Sequence, residues 1–91
     1  SCAPRVQQAC EQAMAASGLS HVSNGRFKGG WITRRYGRPD DQVHAIQMEI
    51  GLRGYLETEA PPWSFAPGVA RPLQDTVARM IEAAIEAARG A

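Results

Sequence analysis

A regular apolar repeat over residues 69–89 constrains the fold more than any other feature of this sequence. Apolar side chains recur there every three or four residues, which is the spacing of one face of an α-helix. A shorter repeat over residues 1–17 predicts a second helix, which ends at Gly18. The sequence therefore predicts a chain that begins and ends with a helix. The longer repeat consists of Leu73, Val77, Met80, Ile81, Ala84, Ile85 and Ala88.

Three short segments between these helices show the alternation of β-strands, at residues 19–24, 31–36 and 42–50. This order of elements predicts an α/β fold, with a small mixed sheet packed by an N-terminal and a long C-terminal helix. Residues 1–91 would form one domain. A three-stranded sheet leaves an edge exposed, so we expect the domain to be partial and completed by further polypeptide. A start without methionine is expected of a processed product or a fragment.

The composition is that of an ordinary folded domain. The chain is 44% apolar and 21% charged, and its net charge is +1. Because the net charge is close to zero, the chain as a whole has no electrostatic attraction to nucleic acid or to a membrane. We expect neither as a partner. No apolar run reaches membrane-spanning length, and no signal peptide is visible. Cys2 and Cys10 are predicted to be reduced thiols, which favours a cytoplasmic location.

Basic residues are concentrated in one part of the chain. Five of the ten Lys and Arg residues lie within the thirteen positions from Arg26 to Arg38, and no acid lies among them. The loop GRFKGG lacks the spacing of a phosphate-binding loop, so fixed cations beside glycines favour a site for a small anionic substrate. A nucleic-acid interface, with Trp31 and Tyr36 as stacking platforms, is an alternative that the near-neutral net charge argues against.

Glu49 lies near the end of the most regular predicted strand, after the apolar residues Val43 and Ala45 on the same face. A carboxylate beside apolar neighbours is costly to bury alone, so we expect a cationic partner, a nearby metal or a role in proton transfer. Arg34 and Arg35 would point to opposite faces of the strand at 31–36, so only one of them would face such a site.

Two long strings resemble the N-formylglutamate amidohydrolases, NGRFKGGWITRRYGRP at residues 24–39 and VHAIQMEI at 43–50. The opening SCAP and the later GYLETEAPPWSF also resemble that family. The resemblance covers nearly the whole chain but only the C-terminal part of such an enzyme. The chain departs from the family at Arg35, where a histidine usually follows the arginine of the ITR segment. We therefore assign no role of that family histidine to any residue of this chain.

The resemblance implies a larger domain with a fold similar to the zinc carboxypeptidases. It implies hydrolysis of N-formyl-L-glutamate to formate and L-glutamate, in histidine breakdown. Zinc is the implied cofactor, with its ligands on a missing N-terminal part or a partner chain. No metal ligand is predicted in this chain, because His44 would face away from Glu49 and one histidine does not make a zinc site.

The resemblance also implies roles for individual residues. Glu49 would act as general base towards water and then as general acid towards the leaving amine. Arg34, Arg53 and Arg26 are candidates for holding the two carboxylates of the substrate, and Gln47 is a further substrate-binding candidate.

Two functions stay open on the sequence. The chain is either a segment of a metal-dependent amidohydrolase or a non-catalytic anion-binding or interaction module derived from that fold. The resemblance implies an enzyme, but the absence of the expected metal ligands leaves open whether this chain catalyses anything alone.

Overall fold

Both helices predicted at the ends of the chain are confirmed. The computed structural model describes residues 1–25 and 28–90. Gly18 ends the first helix with a φ of 77°, a left-handed conformation that glycine adopts without strain. The last helix starts at Pro67, earlier than predicted, so Pro72 lies inside it rather than in its first turn. The helices are α1 (Pro4–Ser17), α2 (Trp31–Tyr36) and α3 (Pro67–Arg89).

The predicted α/β fold with a small mixed sheet is wrong. The part of the chain that the structure describes contains no strand, so the helices have no sheet to cover. Two isolated β-bridges are present instead, one between Arg38 and Val43 and one between Leu56 and Phe65. The fold of the described residues is therefore helical. Two single turns of 3-10 helix lie between α2 and α3, at Pro39–Asp41 and Leu52–Gly54.

The segment predicted as the strand 31–36 forms α2. Six residues are too few for periodicity to separate the two structures, because apolar side chains in so short a segment satisfy either pattern. Local hydrogen bonds favour the helix. Thr33 Oγ1 donates to the carbonyl oxygen of Gly30 over 2.8 Å, and the amide of Gly37 donates to the carbonyl of Thr33 over 3.0 Å. Arg34 and Arg35 are consequently neighbours on a helix and both are exposed.

The run 42–50 has the alternation of a strand but no partner strand. Val43 exchanges both backbone hydrogen bonds with Arg38, at 2.7 and 3.0 Å. Ala45 exchanges both with Ser1, at 2.9 and 3.0 Å. Beyond Ala45 no backbone hydrogen bond joins this run to another described segment. A sheet requires at least two paired strands, and these two short contacts do not form one. They do fix the run alongside the start of α1.

The core is small and lies between α1 and α3, which pack against each other. Its buried apolar residues are Val6 and Cys10 from α1, Ala70 from α3, and Ala66 just before α3. The described residues include no large side chain that is fully buried. None of the helices in the described part combines the length and apolarity that a membrane crossing requires.

Candidate functional site

The loop before α2 depends on glycine at position 29. Gly29 has a φ of 85°, which side chains other than glycine rarely adopt. A Cβ atom at this position would lie 2.8 Å from Thr33 Oγ1, closer than van der Waals contact allows. Thr33 is itself buried and bonded to Gly30, so it has little room to move. The loop backbone is therefore packed tightly against the first turn of α2.

Gln47 joins this loop to Glu49. Its side-chain oxygen accepts a hydrogen bond from the amide of Gly30 over 2.8 Å. Its side-chain nitrogen donates to Glu49 Oε1 over 2.6 Å. The amide of Gln47 thus connects the start of α2 to a carboxylate that lies far away in the sequence, and it fixes the position of one carboxylate oxygen.

Gln47 and Glu49 line an open cavity of about 760 Å³. One wall is α1 with the two residues at the chain's start, and the opposite wall is the run 45–49. Residues 20–25 and 28–29 form the rim. The side chains of the α1 wall and of the described rim include those of Cys2, Gln7, Cys10, Glu11, Met14, Ser20, His21, Val22, Ser23, Asn24 and Lys28.

The charges in the cavity are unevenly balanced. Among its described lining residues, Lys28 is the single lysine or arginine, whereas Glu11 and Glu49 both carry carboxylates. A ligand with two carboxylates would therefore need positive charge beyond that of Lys28. The described lining therefore carries two carboxylates and a single basic side chain, which is not a complete site for a dianion.

Two of the predicted arginines, Arg34 and Arg53, do not line this cavity. The Arg34 guanidinium donates to the carbonyl oxygen of Gly29 over 3.3 Å, so Arg34 contacts the outside of the loop rather than lining the cavity. Arg53 lies in the 3-10 turn Leu52–Gly54, which packs near α3, and it does not line the cavity either. The prediction for Arg26 lies outside the described residues.

Lys28 is the functional candidate that sequence reasoning missed. Its position in the loop GRFKGG, directly before two glycines, is the signal that the sequence offers, because glycine lets the backbone approach a ligand closely. The arginines were preferred because their planar groups bind carboxylates through two hydrogen bonds.

Cys2 and Cys10 both line the cavity, and Cys10 is not an activated nucleophile. Both are free thiols. The pKa of the Cys10 thiol is raised, mainly by burial and further by Cys2 and Glu11. Because the thiolate is the reactive form, Cys10 stays protonated and inert near neutral pH.

His44 does not line the cavity and is hydrogen-bonded to another part of the fold. Its Nδ1 accepts a hydrogen bond from the amide of Ala3 over 3.1 Å. Its Nε2 is buried without a partner among the described atoms. Across residues 1–25 and 28–90, no three His, Cys, Asp or Glu side chains lie close enough together to hold a metal ion.

An acid held by an amide on one wall of a cavity, with a cation on its rim, is typical of sites that bind small polar molecules. Comparison with known proteins gives the particular family. The family model for N-formylglutamate amidohydrolase matches residues 1–56. The chain therefore belongs to the N-formylglutamate amidohydrolase family, and the predicted resemblance is confirmed at that level.

Two curated relatives are named N-formylglutamate deformylase. The protein from Pseudomonas putida is 42% identical over 81 residues, which is 89% of this chain and 29% of the relative. The protein from Pseudomonas aeruginosa strain PAO1 is 51% identical over 59 residues, 65% of this chain and 21% of the relative. The chain thus spans less than a third of the length of these relatives. No solved structure matches it.

The hydrogen-bonding role of Gln47 can be tested directly. We expect Gln47→Leu to speed hydrogen exchange at the Gly30 amide about fivefold, because a hydrogen bond worth about 1 kcal/mol is lost. The measurement is exchange followed by NMR on the 91-residue chain. Gln8→Leu is the matched control, since Gln8 is exposed on α1 and outside the cavity. Unchanged exchange at Gly30 in the Gln47 variant would contradict the role.

Proposed function

We propose that this chain forms one wall of the active site of an enzyme that hydrolyses N-formyl-L-glutamate to formate and L-glutamate, in histidine breakdown. One observation carries the proposal: a chain of the N-formylglutamate amidohydrolase family holds Glu49 at an open cavity through Gln47. Because the chain spans only part of its relatives, the activity is proposed for the native protein as a whole.

In this proposal Glu49 moves the protons of the reaction. Its carboxylate takes a proton from a water molecule as the water oxygen bonds to the formyl carbon. The carboxyl group then gives a proton to the amide nitrogen as the carbon–nitrogen bond breaks, which releases formate and the amine of glutamate. Gln47 holds Oε1 of Glu49, so Oε2 is the oxygen placed for the water.

The substrate would bring two carboxylates to the cavity. We assign one of them to Lys28, which lies on the cavity rim. The second requires a cation from outside the described lining, and Arg34, Arg53 and Arg26 stay the candidates for it. Gln47 is reassigned in this proposal from binding the substrate to holding Glu49, because both ends of its amide are already bonded within the protein.

Zinc is implied by the family resemblance, but the described residues do not fit it. They contain no group of three metal-ligating side chains, and Nδ1 of His44 already has a partner. We therefore propose zinc for the native protein only with ligands from other polypeptide, and the proton transfers above do not depend on it. The similarity to zinc carboxypeptidases and the cytoplasmic location likewise stay predictions.

The absence of a metal-ligating cluster among the described side chains also favours a second candidate. In this alternative, the chain is an anion-binding or interaction module that has kept the cavity without the chemistry. Both candidates share Lys28 as a binding group. They differ in whether the bound ligand is converted.

One experiment on the protein isolated from its native source distinguishes the two candidate functions. We expect that protein to release formate and glutamate from N-formyl-L-glutamate in equal amounts, and its intact mass shows how much polypeptide is present. A native protein of 9.8 kDa that binds the compound without releasing formate would overturn the enzyme proposal and establish the module.

A further inference from the structure

The described chain exposes more surface than a compact protein of its mass. Its accessible surface is 6842 Å², whereas a compact monomer of this mass is expected to expose about 5,200 Å². Its radius of gyration is 14.6 Å, against an expected value of about 12 Å. The excess of about 1,600 Å² is about twice the area of roughly 800 Å² that one partner buries in a standard protein–protein interface.

A large apolar part of this surface lies along α3. A groove of about 450 Å³ runs between α3 and the segment 50–65. Phe65 and Ile81 at its edges are 52% and 51% exposed. This groove, which we call the apolar groove, is lined chiefly by Ile50, Tyr55, Phe65, Leu73, Val77 and Ile81.

The apolar face of α3 is also exposed beyond the apolar groove. The apolar repeat of the sequence continues to Ile85, which is 48% exposed, although helices of a soluble domain normally bury such a face. α1 covers only part of it, and the described chain has no other long helix to cover the rest. An uncovered apolar face of this size usually marks an interface.

We propose that the apolar groove is the surface on which the remainder of the family fold packs. That remainder is the polypeptide corresponding to the part of the curated relatives that this chain does not match, about seven tenths of the Pseudomonas putida protein. The groove lining carries no ionisable group other than the phenol of Tyr55, so the packed surface presents aliphatic and aromatic side chains.

A second copy of this chain is the competing occupant. A two-fold dimer would bury the same groove on both copies and would leave the rest of the family fold without a surface to join. The relatives contain the additional polypeptide within single proteins. Their length therefore favours a different polypeptide segment over a second copy.

The test compares the 91-residue chain with the protein isolated from its native source, by hydroxyl-radical labelling read by mass spectrometry. We expect Phe65 and Ile81 to be labelled about tenfold more slowly in the native protein, because an interface core excludes water. Intact mass and sedimentation identify the polypeptide that provides the cover. Equal labelling in both samples, or protection by a second copy of this chain alone, would overturn the proposal.

A pair of variants keeps the test independent of activity. In the 91-residue chain, Ile81→Ser is expected to change Tm by no more than about 4 °C, because the side chain is half exposed. In the native protein the same change is expected to lower Tm by more than twice that amount. Glu82→Ser is the control, because Glu82 is exposed on α3 and outside the groove. An Ile81→Ser effect equal to that of the control in the native protein would contradict the interface.

Discussion

Glu49→Gln in the native protein is expected to lower kcat for N-formyl-L-glutamate about 1,000-fold, because positioned acid–base groups contribute rate factors of that order. Glutamine has the same shape as glutamate, and its carbonyl oxygen still accepts the hydrogen bond from Gln47. The variant therefore keeps the shape of the side chain and loses its negative charge and its ability to carry a proton. Substrate binding, measured by calorimetry, is expected to stay within a factor of a few.

The matched control is Glu59→Gln, which removes an exposed carboxylate from the loop before α3. Glu59 does not line the cavity, so its replacement is expected to leave kcat unchanged. If the Glu49 variant has the same kcat as this control, the assignment of Glu49 as the proton-transfer group is wrong. A variant that loses binding together with turnover would instead indicate a structural role.

The long helices could be predicted from the sequence because their periodicity extends over many residues. The repeat over residues 69–89 covers more than five turns, so chance agreement with a helix is small. The short segments gave no comparable signal. The six residues of α2 fit either structure, and the hydrogen bond from Thr33 to Gly30 that favours the helix is not visible in a hydrophobicity pattern.

The site could be predicted only in part, for a related reason. Glu49 was recognisable as an isolated acid in an apolar run. The contact between Gly30 and Gln47 joins residues seventeen positions apart, and the pairing of Ser1 with Ala45 joins the start of the chain to its middle. These contacts join the run 42–50 to the start of α2 and to the start of the chain, and no local pattern predicts them. The alternation of a strand could not predict these contacts, because the run has no sheet.

Lys28 provides the second large expected effect. We expect Lys28→Met in the native protein to weaken binding of N-formyl-L-glutamate about tenfold, which corresponds to the lower range for a hydrogen bond to a charged group. Methionine keeps most of the length and the apolar stem of lysine, so chiefly the charge is removed. The dissociation constant of the unmodified protein is also expected to rise with salt, because Lys28 is exposed and its charge is screened.

Arg71→Met is the matched control for Lys28→Met, since Arg71 is exposed on α3 and outside the cavity. Its binding constant is expected to equal that of the unmodified protein. Arg34→Met and Arg53→Met then identify the cation for the second carboxylate, because the variant that loses affinity beyond the control marks it. If Lys28→Met binds like the control while an arginine variant loses affinity, Lys28 at the cavity rim does not bind the substrate. The arginines predicted from the sequence would then hold both carboxylates.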